Sequence, residues 1–156
     1  MRAVVLAFII VCLAINPLLF SEDFYTHLQA GEYIELESRV TRDTIEYFTN
    51  DEYGPMSTDY FTNREADHML DVKLLIHIGF LCYAIGLLYL LHNPKQTWNA
   101  IPQACCGLLC AILGLALLPF NLVFTYFHHL FFTKDTWMFP ASSNLLAAFP
   151  IHFFYN

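Results

Sequence analysis

Residues 63–91 read NREADHMLDVKLLIHIGFLCYAIGLLYLL, and the reading of this stretch decides the fold. Thr62 or Asn63 supplies a helix start, and Glu65 places an acid in the first turn, where a helix N-terminus favours it. From Val72 to Leu91 the segment is apolar apart from Lys73. That length suffices to cross a hydrocarbon core of about 30 Å at about 1.5 Å per residue. Lys73 lies close enough to the polar end to snorkel to the interface. The helix therefore begins in water, carries His68 and Asp71 in its polar part, and finishes in lipid. His92-Asn93-Pro94-Lys95 ends it in a tight turn.

Two further runs repeat the pattern. Ala3 to Phe20 carries no charge and follows Arg2. We read it as a retained anchor rather than a cleaved signal peptide, because Asn16-Pro17 offers poor small-residue positions and no A-x-A-like site follows. Pro102 to Phe132 is the third run. Its Gly107, Ala111, Gly114 and Leu118 suggest a small-residue face for close helix approach. Pro119 is expected to kink it ahead of His128. The fold class is all-α, an integral membrane helix bundle with three transmembrane helices in residues 1–21, 71–92 and 99–132. Residues 22–70 form a small, mostly helical extracytoplasmic cap. Residues 133–156 form an extracytoplasmic loop and the start of a further, truncated apolar helix.

Composition supports the membrane reading. Hydrophobic residues make up 57% and charged residues 13%, against about 25% charged in soluble proteins. Aromatics reach 17%, more than a soluble core needs, whereas bilayer interfaces use them readily. Thirteen of the fourteen acidic residues fall between Glu22 and Asp71, which excludes nucleic acid as a partner for that face. The five cysteines lie in apolar runs without C-x-x-C spacing. Arg2 and Lys95, the basic residues of short flanking segments, mark the cytoplasmic side. The acidic segment, His68, His128 and Trp137 are then extracytoplasmic.

Within the cap, Phe24, Leu28 and Tyr33-Ile34 suggest a short amphipathic helix. Ser38 to Asp43 reads as a turn, with Thr41 or Asp43 capping a second short helix through Ile45, Tyr47 and Phe48. Asn50-Asp51 and Gly54-Pro55 interrupt regular structure. The apolar surface of this segment is too slight for an independent core. Trp137 and Phe139 read as interfacial anchors.

The chemistry lies at the helix ends. His68 and Asp71, spaced i,i+3, share a helix face, and an Asp beside an imidazole fixes its tautomer and raises its basicity. His128-His129 sits among Phe124, Tyr126, Phe127, Phe131 and Phe132. Adjacent helical residues point about 100° apart, so one of the two histidines faces a given site. His68 and His128 share a predicted depth, which makes their meeting natural. The bland readings are a solvated helix end for His68 and interfacial amphipathicity for His128. A three-ligand metal site of His68, Asp71 and His128 competes, as does haem ligation, but no H-E-x-x-H pattern supports the first and the depth disfavours the second.

The run Asp59-Tyr-Phe61-Thr62-Asn-Arg64-Glu65-Ala-Asp-His68-Met69-Leu-Asp71-Val72 is followed by Phe124-x-x-Phe127-His128-x-x-Phe131-Phe132 and Trp137. Leu145 through Phe149-Pro150 and Phe153-Phe154 complete the order. In this order and spacing the sequence resembles the bacterial lipoprotein intramolecular transacylase family, Lit. The resemblance implies four transmembrane helices with an extracytoplasmic cap, of which this chain would hold three. It implies an acyltransferase of the bacterial cell membrane that uses no cofactor and no metal, with two catalytic histidines, here His68 and His128. His129 occupies the adjoining variable position. The implied substrate is a diacylglyceryl lipoprotein held in membrane lipid. Its sn-2 acyl chain moves to the α-amino group of the N-terminal cysteine, giving the lyso-form. No Ser or Cys nucleophile stands beside the histidines, which fits a reaction without a covalent enzyme intermediate.

Beside the histidines, Arg64 is one turn from His68 and suits a developing oxyanion. Asp71 suits orientation of His68. Tyr60, Phe61, Tyr126, Phe127 and Trp137 suit pocket walls that exclude water. The sequence carries no signal of an oligomeric state. The alternative function is a non-enzymatic small membrane protein, a truncated family member whose acidic cap binds a partner.

Overall fold

The computed structural model describes residues 1–21, 34–56, 59–133 and 136–149, with side chains of the second helix from residue 39 onward. The described residues are helical and connecting segments, without strands. The helices are α1 (Arg2–Leu19), α2 (Ile34–Thr49), α3 (Asn63–Leu91), α4 (Pro94–Ala116), α5 (Phe120–Phe131) and α6 (Asn144–Ala148). Three of them, α1, α3 and α4, are long and apolar enough to cross a membrane. In α3 the eighteen residues from Leu74 to Leu91 carry no Asp, Glu, Lys or Arg, an uncharged stretch of membrane-spanning length that follows the polar residues 63–73. The chain divides into two compact units. One comprises residues 1–17 and 77–127, the other residues 18–76 and 128–156.

The first unit is built on helix approach without a large core. A Cβ added at Gly86 would stand 3.2 Å from both Ile9 Cδ1 and Val5 Cγ1, so α1 packs onto α3 where α3 has no side chain. The same construction at Gly107 and Gly114 meets nothing within 4 Å. The expected small-residue face of α4 therefore holds no neighbour there, and the close approach falls on Gly86. Arg2 donates to the Tyr89 carbonyl at 3.2 Å and to Thr97 Oγ1 at 3.3 Å, with its guanidinium 4.5 Å over the Tyr89 ring. Within apolar α1, Asn16 turns its amide back to the Cys12 carbonyl at 2.7 Å, which satisfies it internally.

Local signals explain the breaks. Asn93 caps α4 by accepting from Gln96 N, and Pro94 takes the first helical position, where its missing N–H costs nothing. Pro119 ends the long third run instead of kinking it. Leu117 caps α4, and the Pro119 carbonyl accepts from Leu122 N and Val123 N at 3.0 and 3.2 Å to open α5. A proline lacks the N–H that would carry the helix through.

The second unit has its own core. Val40, Tyr47 and Phe48 of α2 meet Met56, Phe61, Ala66 and Met69, together with Leu145 and Ala148 of α6. The cap thus recruits the first turns of α3 and the residues after α5, which supply the apolar surface that residues 22–67 lack. The turn expected at Ser38 to Asp43 does not form, since α2 runs unbroken from Ile34 to Thr49. Val40, Thr41, Thr44, Tyr47 and Phe48 are all buried at i, i+1, i+4, i+7 and i+8, the signature of one helical face turned into a core. Without Gly or Pro between 34 and 49, nothing local overrides that face. The helix expected around Phe24 and Leu28 lies outside the described residues.

Lys73 does not snorkel. It is fully buried in this unit, donating to Asn50 Oδ1 at 2.5 Å and to the Glu52 carbonyl at 2.7 Å, with Tyr47 and Tyr53 rings 4.5 and 5.5 Å from its ammonium. It ties α3 to the segment after α2. Tyr47 reinforces that segment by donating to the Gly54 carbonyl at 2.8 Å.

Candidate active site

The site is built on the polar end of α3. Thr62 and Glu65 form a reciprocal cap. Thr62 N and Oγ1 both donate to Glu65 Oε2 at 2.7 Å, and Glu65 N returns a weaker contact to Thr62 Oγ1 at 3.4 Å. With the helix start fixed, Glu65, His68, Met69, Val72, Lys73 and Ile76 follow at helical spacing on the inward face. His68 is 7% exposed.

Three rings surround His68. Phe132 stands edge-on at 4.8 Å between centroids and Phe139 edge-on at 5.5 Å. His128 faces it at 6.3 Å with the planes 27° apart. His128 in turn packs on Trp137 at 4.7 Å and on Phe132 at 5.3 Å. Phe132 lies one helical turn after His128, so a single i,i+4 step places a ring against both imidazoles. His129 turns away from this pair and meets Trp137 edge-on at 5.3 Å. The expected divergence of the two neighbours is observed, with Trp137 touching both.

His68 Nδ1 is buried with no hydrogen-bond partner among the described residues. Burial, and then the facing His128, hold the His68 pKa down to about 4 from 6.5. The imidazole is therefore neutral near pH 7.

Of the other expected site residues, Trp137 joins the histidines. Arg64 is exposed, with its guanidinium 5.6 Å from the centroid of Phe139, the ring that also touches His68. Asp71 does not orient His68, whose Nδ1 it leaves unbonded. A three-residue step rotates Asp71 by about 60° from His68. It is half-buried, with its pKa raised by burial and by Asp67. Among the described residues no three His, Cys, Asp or Glu side chains gather as metal ligands, so His68, Asp71 and His128 are not a preformed triad.

Tyr60 and Phe61 serve the cap core instead of walling the histidines. Tyr60 donates to Asp43 Oδ2 at 2.7 Å, and Phe61 is buried in the apolar cluster. Tyr126 and Phe127 belong to the first unit, 68% and 45% exposed.

Two rings and one carboxylate, expected in other roles, lie at the histidines or next to them. Phe132 was legible from its spacing to His128, and Phe139 from its place two residues after Trp137. Glu65 was legible only as a cap through the Thr62-x-x-Glu65 pattern. Its second role is tertiary. Oε1 accepts from the Ser143 hydroxyl and from Leu145 N, the latter at 2.9 Å. Burial alone would raise the Glu65 pKa, but these donors and Thr62 bring it down to about 2 from 4.5.

The geometry brings two imidazoles face to face, His68 buried and His128 half-buried, among Phe132, Phe139 and Trp137. No curated protein and no solved structure matches the chain. The sequence model described as Lipoprotein intramolecular transacylase Lit matches residues 1–154. That match runs from α1 past both histidines and α6, and the chain accordingly belongs to the lipoprotein intramolecular transacylase (Lit) family.

Proposed function

We propose that this protein moves the sn-2 acyl chain of a diacylglyceryl lipoprotein onto the α-amino group of its N-terminal cysteine, with His68 and His128 as the proton-transfer pair. The observation that carries the reading is the facing of the two imidazoles at 6.3 Å inside a ring of Phe132, Phe139 and Trp137. The amine nitrogen attacks the ester carbonyl, and the new C–N bond forms as the amine surrenders a proton to one imidazole. The bond from the acyl carbon to the glyceryl oxygen breaks, and that oxygen takes a proton from the other imidazole; passage of the amine's proton from the first imidazole to the second then returns both to their starting states. Atoms balance within one substrate, so its mass is unchanged.

Each feature of the site has a use in this reaction. An α-amine of pKa about 8 attacks through its neutral fraction, and once its nitrogen is bonded to the acyl carbon the N–H becomes strongly acidic, so a neutral imidazole at its side takes that proton. His68 is held neutral in this range. The aromatic surround keeps water from competing for the ester. Both reacting groups arrive on one molecule, so a bend in the substrate supplies proximity that two separate reactants would lose entropy to reach. Arg64, next to Phe139 at the rim, is suited to the lipoprotein's carbonyls or to lipid phosphate.

We assign the second unit to the extracytoplasmic face of a bacterial cell membrane. Arg2 reaches Thr97, two residues from Lys95, so both basic markers sit at one end of the first unit. By the positive-inside rule that end is cytoplasmic.

The test is mass spectrometry of the N-terminal lipopeptide of a reporter lipoprotein, co-expressed with this chain in a bacterium unable to N-acylate. An acyl group moved from ester to amide at constant mass, absent with His128→Ala or His68→Ala, is the expected result. Full insertion of the protein with no transfer would remove the proposal and leave a partner-binding module as the better reading.

A further inference from the structure

Glu65 is 2% exposed, deeper than a helix cap requires. A capping box works at a wet helix end, where one carboxylate oxygen suffices. Here the two oxygens serve different elements. Oε2 closes the cap of α3 through Thr62. Oε1 takes the Ser143 hydroxyl and Leu145 N, 78 and 80 residues further along the chain. Only an ionised carboxylate has acceptor sites for all four donors.

Ser143 is a junction in its own right. It caps α6 by accepting from Leu146 N at 3.3 Å, and its own N–H closes a turn onto the Pro140 carbonyl at 2.9 Å. The residues just before it carry Trp137 and Phe139, the rings seated on His128 and His68. At the other end of this strap, Thr136 N and Oγ1 donate to the Thr133 carbonyl at 3.3 and 3.0 Å, directly after Phe132. The strap is therefore tied at the end of α5 and again at the first turn of α3, and Glu65 stands one turn ahead of His68.

We propose that Glu65 is a positioning residue of the site: through Oε1 it fastens the strap 136–143 to α3 and so fixes Trp137 and Phe139 against the two imidazoles. Its kinetic consequence rests on the transacylase reading; its structural consequence does not. The carboxylate exchanges no proton with substrate and touches neither imidazole. It acts by holding the rings that exclude water from His68 and His128.

The test uses the full chain in lipid nanodiscs with Trp98→Phe, which leaves Trp137 as the single tryptophan. Glu65→Ala is expected to shift Trp137 emission to the red and raise its quenching by acrylamide. It should also lower kcat for a diacylglyceryl lipopeptide by about tenfold or more with a smaller change in KM. Glu65→Gln keeps an Oε1 acceptor and should recover most of both signals. Thr62→Ala removes the hydroxyl of the cap and keeps its backbone N–H on Oε2, and should lower thermal stability while leaving Trp137 emission and kcat near the parent. Ser143→Ala removes one of the two strap-side donors and leaves Leu145 N on Oε1, so it should give a smaller red shift in the same direction, and it serves if Glu65→Ala fails to fold. Trp137 emission unchanged in the folded strap-side variants, or shifted equally by Thr62→Ala, would overturn the proposal. A parent protein without transacylation would defeat the proposed function alone, because Trp137 emission still reads the strap.

Discussion

Acidification from about pH 7 to about pH 5 protonates an ordinary imidazole but leaves His68 neutral. Burial of the ring, and then the facing His128, set its pKa at about 4 in the fold, against 6.5 when exposed. At 1.36 kcal/mol per pKa unit, that difference corresponds to about 3 kcal/mol favouring the neutral ring. Between these two values the unfolded chain binds a proton at His68 that the folded chain refuses. The stability contributed by the neutral ring is complete above about pH 6.5 and is lost as the pH falls toward about 4. Replacing Phe139 with Ala removes the ring edge at 5.5 Å and admits water to the imidazole. The His68 pKa then rises toward 6.5, and the acid-induced loss of stability shrinks by part of that 3 kcal/mol. The assay is the Cε1–H chemical shift of the histidines in nanodiscs across the pH range, with His68 identified by its disappearance in His68→Ala. Thermal midpoints over the same range provide the second readout. A parent His68 titrating near 6.5, or one unmoved by Phe139→Ala, would refute the reasoning.

Three further outcomes follow from the same structure. Glu65 has a folded pKa of about 2 against 4.5, so its contribution of about 3 kcal/mol holds above pH 4.5 and is lost as the pH falls through about 2. Glu65→Gln should flatten that acid limb in a pH series of melting curves. Lys73→Met removes the two charge-assisted hydrogen bonds that the ammonium makes to Asn50 Oδ1 and the Glu52 carbonyl, a cost of about 1.5–3 kcal/mol; hydrogen exchange of residues 50–56 should accelerate while that of 77–91 does not. Gly86→Leu should drive α1 from α3, since even a Cβ stands 3.2 Å from Val5 and Ile9. Gly107→Leu and Gly114→Leu meet open space and should leave resistance to thermal unfolding unchanged.

Much of the fold was legible in the sequence because its signals are local. An uncharged run reports membrane-length helices wherever it lies. Asn93-Pro94 reports a helix start, and Thr62-x-x-Glu65 a cap, because both ends of each interaction lie within four residues. Pro119 announced an interruption, though not that the helix would stop outright. The turn misread at Ser38 to Asp43 shows the converse. Polar residues suggested a bend, and only burial of Val40, Thr41 and Thr44 against the rest of the cap made the helix continuous.

The sequence by itself determined the apolar helices, the starts of α3 and α4, and the two histidines at helix ends. Tertiary structure alone decided which small residue receives a neighbour, Gly86 rather than Gly107 or Gly114, and which carboxylate is bonded to a distant segment, Glu65 to Ser143 and Leu145. It alone turned Lys73 into a buried tie and gathered Phe132, Phe139 and Trp137 about the imidazoles. The physical reason is common to all four. Periodicity along a chain fixes which residues share a helix face, but the rotation and register of that helix against its neighbours are set by packing among segments dozens of residues apart. A shift of one residue turns a helix by about 100°, enough to exchange a buried partner for an exposed one.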